Sequence, residues 1–289
     1  RRPRDMTDLH DPILVAVDGG GTGCRAVIGR ASIGILGRGE AGPANVTTDP
    51  TAAVDAVLAA VTQAAQTAEL GDFLHQANAY LGLAGAQTAA QCKAVADAMP
   101  FVRCTVTDDV PTAIAGALGR AAGAVLLIGA GTIVAATDGE TLRRAGGWGL
   151  TLSDIGSAAW LGRMALARAL EAHDGTLPQS ELTAGLLAQF DNDPHRIVAF
   201  ANDAGAADFG KIAPKVTSAA SNGDVHAVSL MKHASTYFSR ALDAVGYQVG
   251  DKLCLGGGTG PHYATYLPTP TVAPLGSSLD GAFMLAGQL

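Results

Sequence analysis

The sequence predicts an α/β fold, mixed sheets flanked by helices, laid down twice along the chain. Three observations carry this. Short β-branched apolar runs alternate with alanine-rich stretches of helical period. The strand pattern restarts near residue 120, after a first complete set. An apolar run also leads into a glycine turn three times, at Gly19-Gly20-Gly21-Thr22, Gly129-Ala130-Gly131-Thr132 and Gly256-Gly257-Gly258-Thr259. The first two tetrads lie 110 residues apart, and the first and third share GGGTG, as an internal duplication would leave them.

Taken in order, residues 13–17 form a first strand and residues 25–28 begin a second after a tight glycine turn, which reads as a hairpin. A third strand falls near 33–39. Residues 50–70 place Val54, Val57, Leu58 and Val61 on one face, as an amphipathic helix requires. Strands at 80–84 and 103–107 alternate with helices at 88–98 and 111–120. The second half opens with strands at 124–128 and 133–136. It continues with helices at 157–173, 180–190 and 225–247, a strand at 252–255 and a short helix near 279–288. The division assigns residues 1–117 to a first lobe and 118–289 to a second.

Composition excludes several classes of function. The 289 residues suffice for two domains, and charged residues make up 16% against about 25% in an average soluble chain. With 48% apolar residues, this is not a disordered chain. A net charge of −7 argues against a nucleic-acid partner. The apolar stretch at 121–137 is interrupted by Gly123, Gly129 and Gly131 and falls short of the ~20 residues that span a bilayer, so no membrane partner is expected. The basic start is followed by acidic Asp8 and Asp11 instead of an apolar core, so it does not read as a signal peptide; residues before Met6 are set aside. Cys24, Cys92, Cys104 and Cys254 form no CxxC pair, and the seven histidines form no HxH or HExxH. Reduced thiols in the cytoplasm, without an intrinsic metal site, are the expectation.

Glycine turns let successive backbone N–H groups converge on an anion, above all a phosphate, and a threonine hydroxyl adds a donor. One such turn is commonly only a turn; three alike at strand ends favour a ligand. Two familiar phosphate loops fit poorly. Gly210-Lys211 precedes Ile212, so there is no Walker A loop, and a dinucleotide fingerprint on Gly21, Gly23 and Ala26 runs into the strand residues Val27 and Ile28.

Carboxylates border these turns. Asp18 ends the first strand, where it either initiates the turn or approaches a phosphate-bound Mg²⁺. Asp108 and Asp109 end the strand at 103–107 and precede a helix that one of them would cap. Asp154, with Ser153, closes the glycine-studded stretch 146–156 before a long helix, again as a cap or a ligand. Trp148, between glycines, reads as a packing anchor, and Asn45 as a turn residue.

In this order, Asp18 to Thr22, Ala44-Asn45, Thr107-Asp108, Gly147-Trp148-Gly149, Ser153 to Ser157 and Gly256 to Gly258 resemble the N-acetylglucosamine and glucosamine kinases of the BadF/BadG-type ATPase family, within the actin-like ATPase and sugar kinase superfamily. The resemblance extends from Ile13 to Leu289 and is closest to the short bacterial glucosamine kinases. It implies two actin-like (ribonuclease H-like) lobes with the active-site cleft between them, and ATP and Mg²⁺ as cofactors. Asp18 would hold the metal, while Gly20, Gly21 and Thr22 hold phosphates. Gly129, Ala130, Gly131 and Thr132 would form a second phosphate loop, and Gly256, Gly257 and Gly258 would lie against adenosine. Asn45, Gly147, Trp148, Gly149 and Asp154 would bind the sugar, with Asp108 as general base and Asp109 as the fallback. The usual second loop, Gly-Thr-Gly-Ser, is departed from at Ala130, which has no hydroxyl.

The implied activity is ATP-dependent phosphorylation of an amino sugar at its 6-hydroxyl, with glucosamine ahead of N-acetylglucosamine. The chemistry suits glycine nests and a carboxylate, because phosphoryl transfer needs positioning and charge neutralisation, and a sugar alcohol needs a proton acceptor. The family's activator ATPases need closely spaced cysteines for a shared iron–sulfur cluster, and these four are scattered. A sugar-responsive regulator would need a DNA-binding module that the sequence does not show. A homodimer is compatible with the sequence.

Overall fold

The structure is a computed structural model that describes residues 11–289; the segment before Met6 lies outside the described residues. In chain order the strands and helices are β1 (Ile13–Gly19), β2 (Cys24–Arg30), β3 (Gly34–Ala41), α1 (Pro50–Thr67), β4 (Asn78–Leu83), α2 (Ala89–Asp97), β5 (Arg103–Thr107) and α3 (Asp109–Leu118). There follow β6 (Gly123–Ile128), β7 (Thr132–Thr137), β8 (Leu142–Gly146), α4 (Ala158–His173), α5 (Glu181–Gln189), α6 (Pro194–Asp203), α7 (Ala206–Gly210), α8 (Ala213–Ser221), α9 (Val225–Ala244), β9 (Lys252–Gly256) and α10 (Ser278–Ala286). The chain divides into two compact units. The first runs to Arg120 and takes in Pro274–Leu289; the second is Ala121–Ala273.

Each unit is built on one mixed sheet, ordered β3-β2-β1-β4-β5 in the first and β8-β7-β6-β9 in the second. In both, the first strand pairs antiparallel with the hairpin strand after it and parallel with the strand that returns by a helical crossover. This is the expected architecture of two mixed sheets with flanking helices, and the duplication seen in the glycine turns is also a duplication of topology.

The first unit is three layers deep, and β1 shows why. Side chains alternate across a strand, so Ile13, Val15 and Val17 face the core shared with α1, while Leu14 and Ala16 face α10. Helix α1 starts where Asp49 accepts from the Ala52 N–H at 3.0 Å and Pro50 supplies a preset φ. It buries Ala53, Val57, Ala60, Val61, Ala64 and Ala65 against the sheet. The approach is close: a Cβ on Gly39 would lie 2.1 Å from the Ala60 carbonyl oxygen.

The last helix differs from its expected place. The sequence groups residues 118–289 together, yet α10 packs in the first unit, with Leu279, Ala282 and Ala286 covering the second face of its sheet. Two glycines make the fit: a Cβ at Gly116 of α3 would lie 2.0 Å from Ser277 O, and one at Gly281 of α10 would lie 2.1 Å from Thr112 O. Without α10 that sheet face, with Leu14, Ala16 and Val27, would lose its apolar cover.

In the second unit Leu126 and Ile128 join Trp160, Leu186, Phe238 and Tyr263 in one core. Tyr263 stacks edge-on against Phe238 at 4.9 Å between ring centres and donates its hydroxyl to Gly156 O at 2.7 Å. Strand β8 was not anticipated, because an edge strand carrying Arg143 and Arg144 shows no apolar alternation. The short helices α6 to α8 were read only as part of a mostly helical remainder.

Candidate functional site

The candidate residues collect at the carboxyl ends of parallel strands, where open α/β sheets bind ligands. They form one cluster in each unit.

In the first unit, β1 ends in Asp18 and Gly19 and turns through Gly20 to Gly23 into β2, closed by Gly20 N–H to Gly23 O at 2.9 Å. The register aligns Asp18 of β1 with Gly82 of β4 and Thr107 of β5. Asp18 and Asp108 therefore emerge from the same sheet edge, roughly 10 Å apart at two strand spacings. The Asn45 segment is tied into this edge, with Ala44 N–H donating to Gly20 O at 2.9 Å and Val46 N–H to Ala84 O at 3.0 Å. The Asn45 Oδ1 accepts from the N–H groups of Thr47 and Thr48 at 3.0 and 3.1 Å. That is the turn role read from the sequence, and it fixes which way the amide faces, leaving the NH₂ group to donate.

Asp18 pairs with Arg25 at 2.5 Å, and its side chain is only slightly exposed. Asp108 is the N-cap of α3: its Oδ1 accepts from the Val110 N–H at 3.2 Å, so the plain capping role is real. Thr107 holds the same residue by donating its hydroxyl to Asp108 O at 2.8 Å. Asp109 is exposed in the first turn of α3. Sequence reasoning passed over Tyr80, a buried neighbour of this corner. Its hydroxyl hydrogen-bonds to the Thr107 side chain, and burial together with the nearby Asp108 charge pushes its ionisation up.

In the second unit, the second and third glycine turns follow adjacent parallel strands, β6 and β9, and abut. Thr259 N–H donates to Ile128 O at 3.0 Å, and a Cβ on Gly257 would lie 2.4 Å from that same oxygen. The second turn is also held from α4, whose Ala158 N–H donates to Gly129 O at 2.8 Å. The third turn differs from the first two in kind, since β9 runs into a 3₁₀ turn (Gly260–Tyr263) instead of a hairpin. Beside Gly258 opens a pocket of about 470 Å³ lined by Ala158, Ala213, Thr217, Ser221, Thr259 and His262.

Trp148 does not anchor packing as its flanking glycines suggested. It is 78% exposed, on a loop where Gly146, Gly147 and Gly149 all take positive φ. Asp154 is the reverse, with only 7% of its surface exposed. Burial pushes its carboxyl above the usual range, opposed by the N–H groups of Thr132 and Gly149.

The glycines divide into two sorts. Most are demanded by packing or by a positive φ. At Gly20, Gly21, Gly129 and Gly258, however, no atom lies within 4 Å of where a Cβ would stand, and φ is not positive. Gly42, Gly71 and Gly185 are equally open, but only the first four lie in the strand-end turns. Bare backbone facing open space is what close approach by a phosphate requires.

Among the described residues no three His, Cys, Asp or Glu side chains gather to hold a metal ion. A single carboxylate, Asp18, beside an open glycine turn fits Mg²⁺, which takes one or two carboxylates and completes its shell with water and phosphate oxygens. The four cysteines are free, and burial pushes the thiols of Cys24 and Cys104 up to about 12. No helix among the described residues is long and apolar enough to cross a membrane.

Comparison with known proteins completes the description. Residues 15–266 match the model of the BadF/BadG/BcrA/BcrD ATPase family. The chain is 31% identical over 280 residues, 95% of each protein, to the glucosamine kinase GspK of Vibrio cholerae. Among solved structures it is similar to a Chromobacterium violaceum protein assigned as an N-acetylglucosamine kinase, with a TM-score of 0.86 and 31% identity over 95% of this chain and 99% of that one. A Porphyromonas gingivalis protein with the same assignment shares the fold, with a TM-score of 0.72 and 20% identity over 94% and 98% of the two chains.

Proposed function

The chain belongs to the BadF/BadG/BcrA/BcrD ATPase family, and on that footing we propose that it is an ATP-dependent amino-sugar kinase that phosphorylates glucosamine at the 6-hydroxyl. The observation that carries this beyond family membership is the set of glycines at Gly20, Gly21, Gly129 and Gly258, open in space and unexplained by the fold. They lie at the ends of β1, β6 and β9, in the three turns that the resemblance assigns to phosphates and adenosine.

In this reading Gly20, Gly21 and Thr22 are the phosphate turn of the first unit, and Gly129 to Thr132 are that of the second. Gly256 to Gly258 lie against adenosine, and the pocket beside Gly258 accepts the base. Its walls of small and hydroxyl-bearing side chains suit a flat heterocycle. Asp18 is the metal ligand, and Mg²⁺, when bound, would neutralise charge on the phosphates.

On the first unit the Asn45 amide, whose NH₂ is left to donate, is a sugar contact; on the second, Trp148 with its flanking glycines is one. Asp108 accepts the proton as the 6-oxygen bonds to the γ-phosphorus and the bond to the β-phosphate oxygen breaks, releasing ADP. Its Oδ1 also caps α3 by accepting from the Val110 N–H. The Tyr80–Thr107 pair steadies the backbone at that position.

The experiment is ADP release with ATP and Mg²⁺ against glucosamine, N-acetylglucosamine, glucose, mannose and no sugar. Release that depends on glucosamine supports the reading. A preference for N-acetylglucosamine would move the substrate to the acetylated sugar named for the Chromobacterium protein. Release indifferent to every sugar would replace the kinase with an ATPase.

A further inference from the structure

The loop that carries Trp148 leaves β8 at Gly146 and runs to Gly156, just before α4. Gly147, Trp148, Gly149, Thr151 and Leu152 are exposed along it. Its internal bonds are local, with the N–H groups of Leu152 and Ser153 donating to Gly149 O at 3.3 and 2.8 Å. Gly146, Gly147 and Gly149 all take positive φ, and glycine gives up more conformational freedom on ordering than any other residue. A segment of this kind presents one arrangement only if something outside it holds its ends.

Helix α9 supplies that hold with two neighbouring aromatic side chains, Tyr237 and Phe238, whose ring centres lie 5.9 Å apart. Each fills the place of a missing side chain at one end of the segment. A Cβ on Gly156 would stand 2.4 Å from Phe238 Cζ, and a Cβ on Gly146 would stand 2.7 Å from the Tyr237 hydroxyl oxygen. Phe238 is wholly buried in the core of the second unit. Tyr237 is half-buried, and its hydroxyl also hydrogen-bonds to the Ser153 side chain. One hydroxyl thus stands against Gly146 at the start of the exposed loop and Ser153 at its end. Burial, with the Asp154 charge nearby, pushes the ionisation of Tyr237 up, so the hydroxyl keeps its proton near neutral pH.

We propose that Tyr237 is a positioning residue for sugar recognition, its hydroxyl bracing the neck of the Trp148 loop between Gly146 and Ser153. The identity of the sugar rests on the kinase reading; the brace itself does not. A loop held in its binding arrangement before the ligand arrives spares the ligand the cost of ordering it. The gain is the same for bound substrate and transition state, so it falls on KM for the sugar and leaves kcat alone. The nucleotide side of the reaction is untouched by it.

The test compares the parent with Tyr237→Phe, Ser153→Ala and the double variant. Tyr237→Phe keeps the ring and removes only the hydroxyl. KM for glucosamine should rise about three- to tenfold, the range that one hydrogen bond of ordinary net strength supplies, with kcat and KM for ATP within about twofold of the parent. Ser153→Ala should give a similar rise. The double variant should rise no further than the larger single one, because both substitutions delete the same bond. Time-resolved anisotropy gives a readout without turnover. Trp148 is exposed and the other tryptophan, Trp160, is buried, so the acrylamide-quenchable emission reports the loop. Its fast local motion should grow in amplitude in each variant.

An unchanged KM for glucosamine in Tyr237→Phe overturns the proposal, and so do rises that add in the double variant. A fall in kcat at constant KM, as loss of folded enzyme would give, overturns it as well. If Tyr237→Phe does not fold, Ser153→Ala removes the same bond from the other side and decides on the same readings. Failure of the kinase reading looks different, as a parent that turns over no sugar. The anisotropy then decides alone, and a Trp148 loop no more mobile in the variants than in the parent refutes the brace.

Discussion

The two sheets share the order and directions of four strands but differ in the residue that precedes the hairpin turn. Directly before the hairpin turn, β1 has Asp18 and β6 has Ile128, which is fully buried. The turn threonines differ as well, Thr22 being exposed and Thr132 buried. A duplicated scaffold has been specialised: the first turn offers a carboxylate and a hydroxyl, the second offers backbone alone. The counterpart of the third turn differs too. Strand β9 leads into Gly256 to Gly258, whereas β4, in the equivalent place, leads into Leu83-Ala84-Gly85, where the Asn45 segment docks. One half of the molecule has turned that strand end toward a nucleoside and the other toward a sugar, on the reading proposed above.

The sharpest way to break the comparison is to remove the carboxylates from the first unit. Asp108→Asn should lower glucosamine-dependent kcat/KM by about 10²- to 10⁴-fold, the usual contribution of a general base. Asparagine also caps helices well, so the unfolding midpoint should hardly move. If Asp109→Asn produces the loss and Asp108→Asn does not, the base has been assigned to the wrong neighbour. Asp18→Ile, which copies Ile128 into the first turn, should cost roughly 10²- to 10³-fold, as loss of a charge-stabilising group does. Retained activity would mean that the two turns are interchangeable and the asymmetry has no function.

The glycines give the next largest effect, and here the two sorts should separate. Gly20→Val and Gly129→Val insert a side chain into open space, so stability should stay within about 0.5 kcal/mol. The KM for ATP should rise about tenfold, equivalent to roughly 1.4 kcal/mol of lost binding. Gly39→Val drives a side chain into the Ala60 carbonyl and should destabilise the first unit by about 1–3 kcal/mol or more. Thermal unfolding and ATP titration on the three variants together test the division. An ordinary ATP KM in Gly20→Val would remove the observation that carries the proposed function.

Much of this was legible in the sequence because strands of the two sheets are short apolar runs bounded by glycine, and helices such as α1 and α4 carry their own caps. Asp49-Pro50 and Ser157 mark starts that local chemistry dictates. The place of α10 was not legible, since the contact that seats it in the first unit joins Gly116 and Gly281, 165 residues apart in sequence. The exposure of Trp148 was hidden for a related reason. A tryptophan among glycines resembles a buried anchor until three positive-φ residues carry it outward. Asp154 was recognisable as special, but its partners Thr132 and Gly149 come from segments that only the folded chain brings together.

The second loop offers a milder test of the same asymmetry. Ala130 is exposed and stands where the family resemblance leads one to expect threonine, so Ala130→Thr adds a hydroxyl without disturbing packing. If the second turn works through backbone alone, the KM for ATP should change by less than about threefold, well under the roughly 1.4 kcal/mol of a tenfold change. A larger improvement would show that the missing hydroxyl limits this enzyme.

The smallest effect concerns acid. Two carboxylates, one in each unit, shift in opposite directions. Asp280 of α10 is held below the usual range by hydrogen bonds from the Ser277 hydroxyl and N–H, with Arg38 adding to them. A lowered folded-state pKa contributes stability above the unfolded value near 3.8 and loses it as pH falls through the folded one. Asp154 is raised by burial, so its contribution is complete below the unfolded value and is lost as pH rises through the folded one. Asp280→Ala, which removes half of a capping box, should therefore cost about 1 kcal/mol at pH 7 and less at pH 3. Asp154→Asn should show the reverse slope, comparing more favourably with the parent at pH 7 than at pH 3. Urea unfolding at the two pH values reads both slopes, and parallel slopes would mean that burial does not dominate at Asp154.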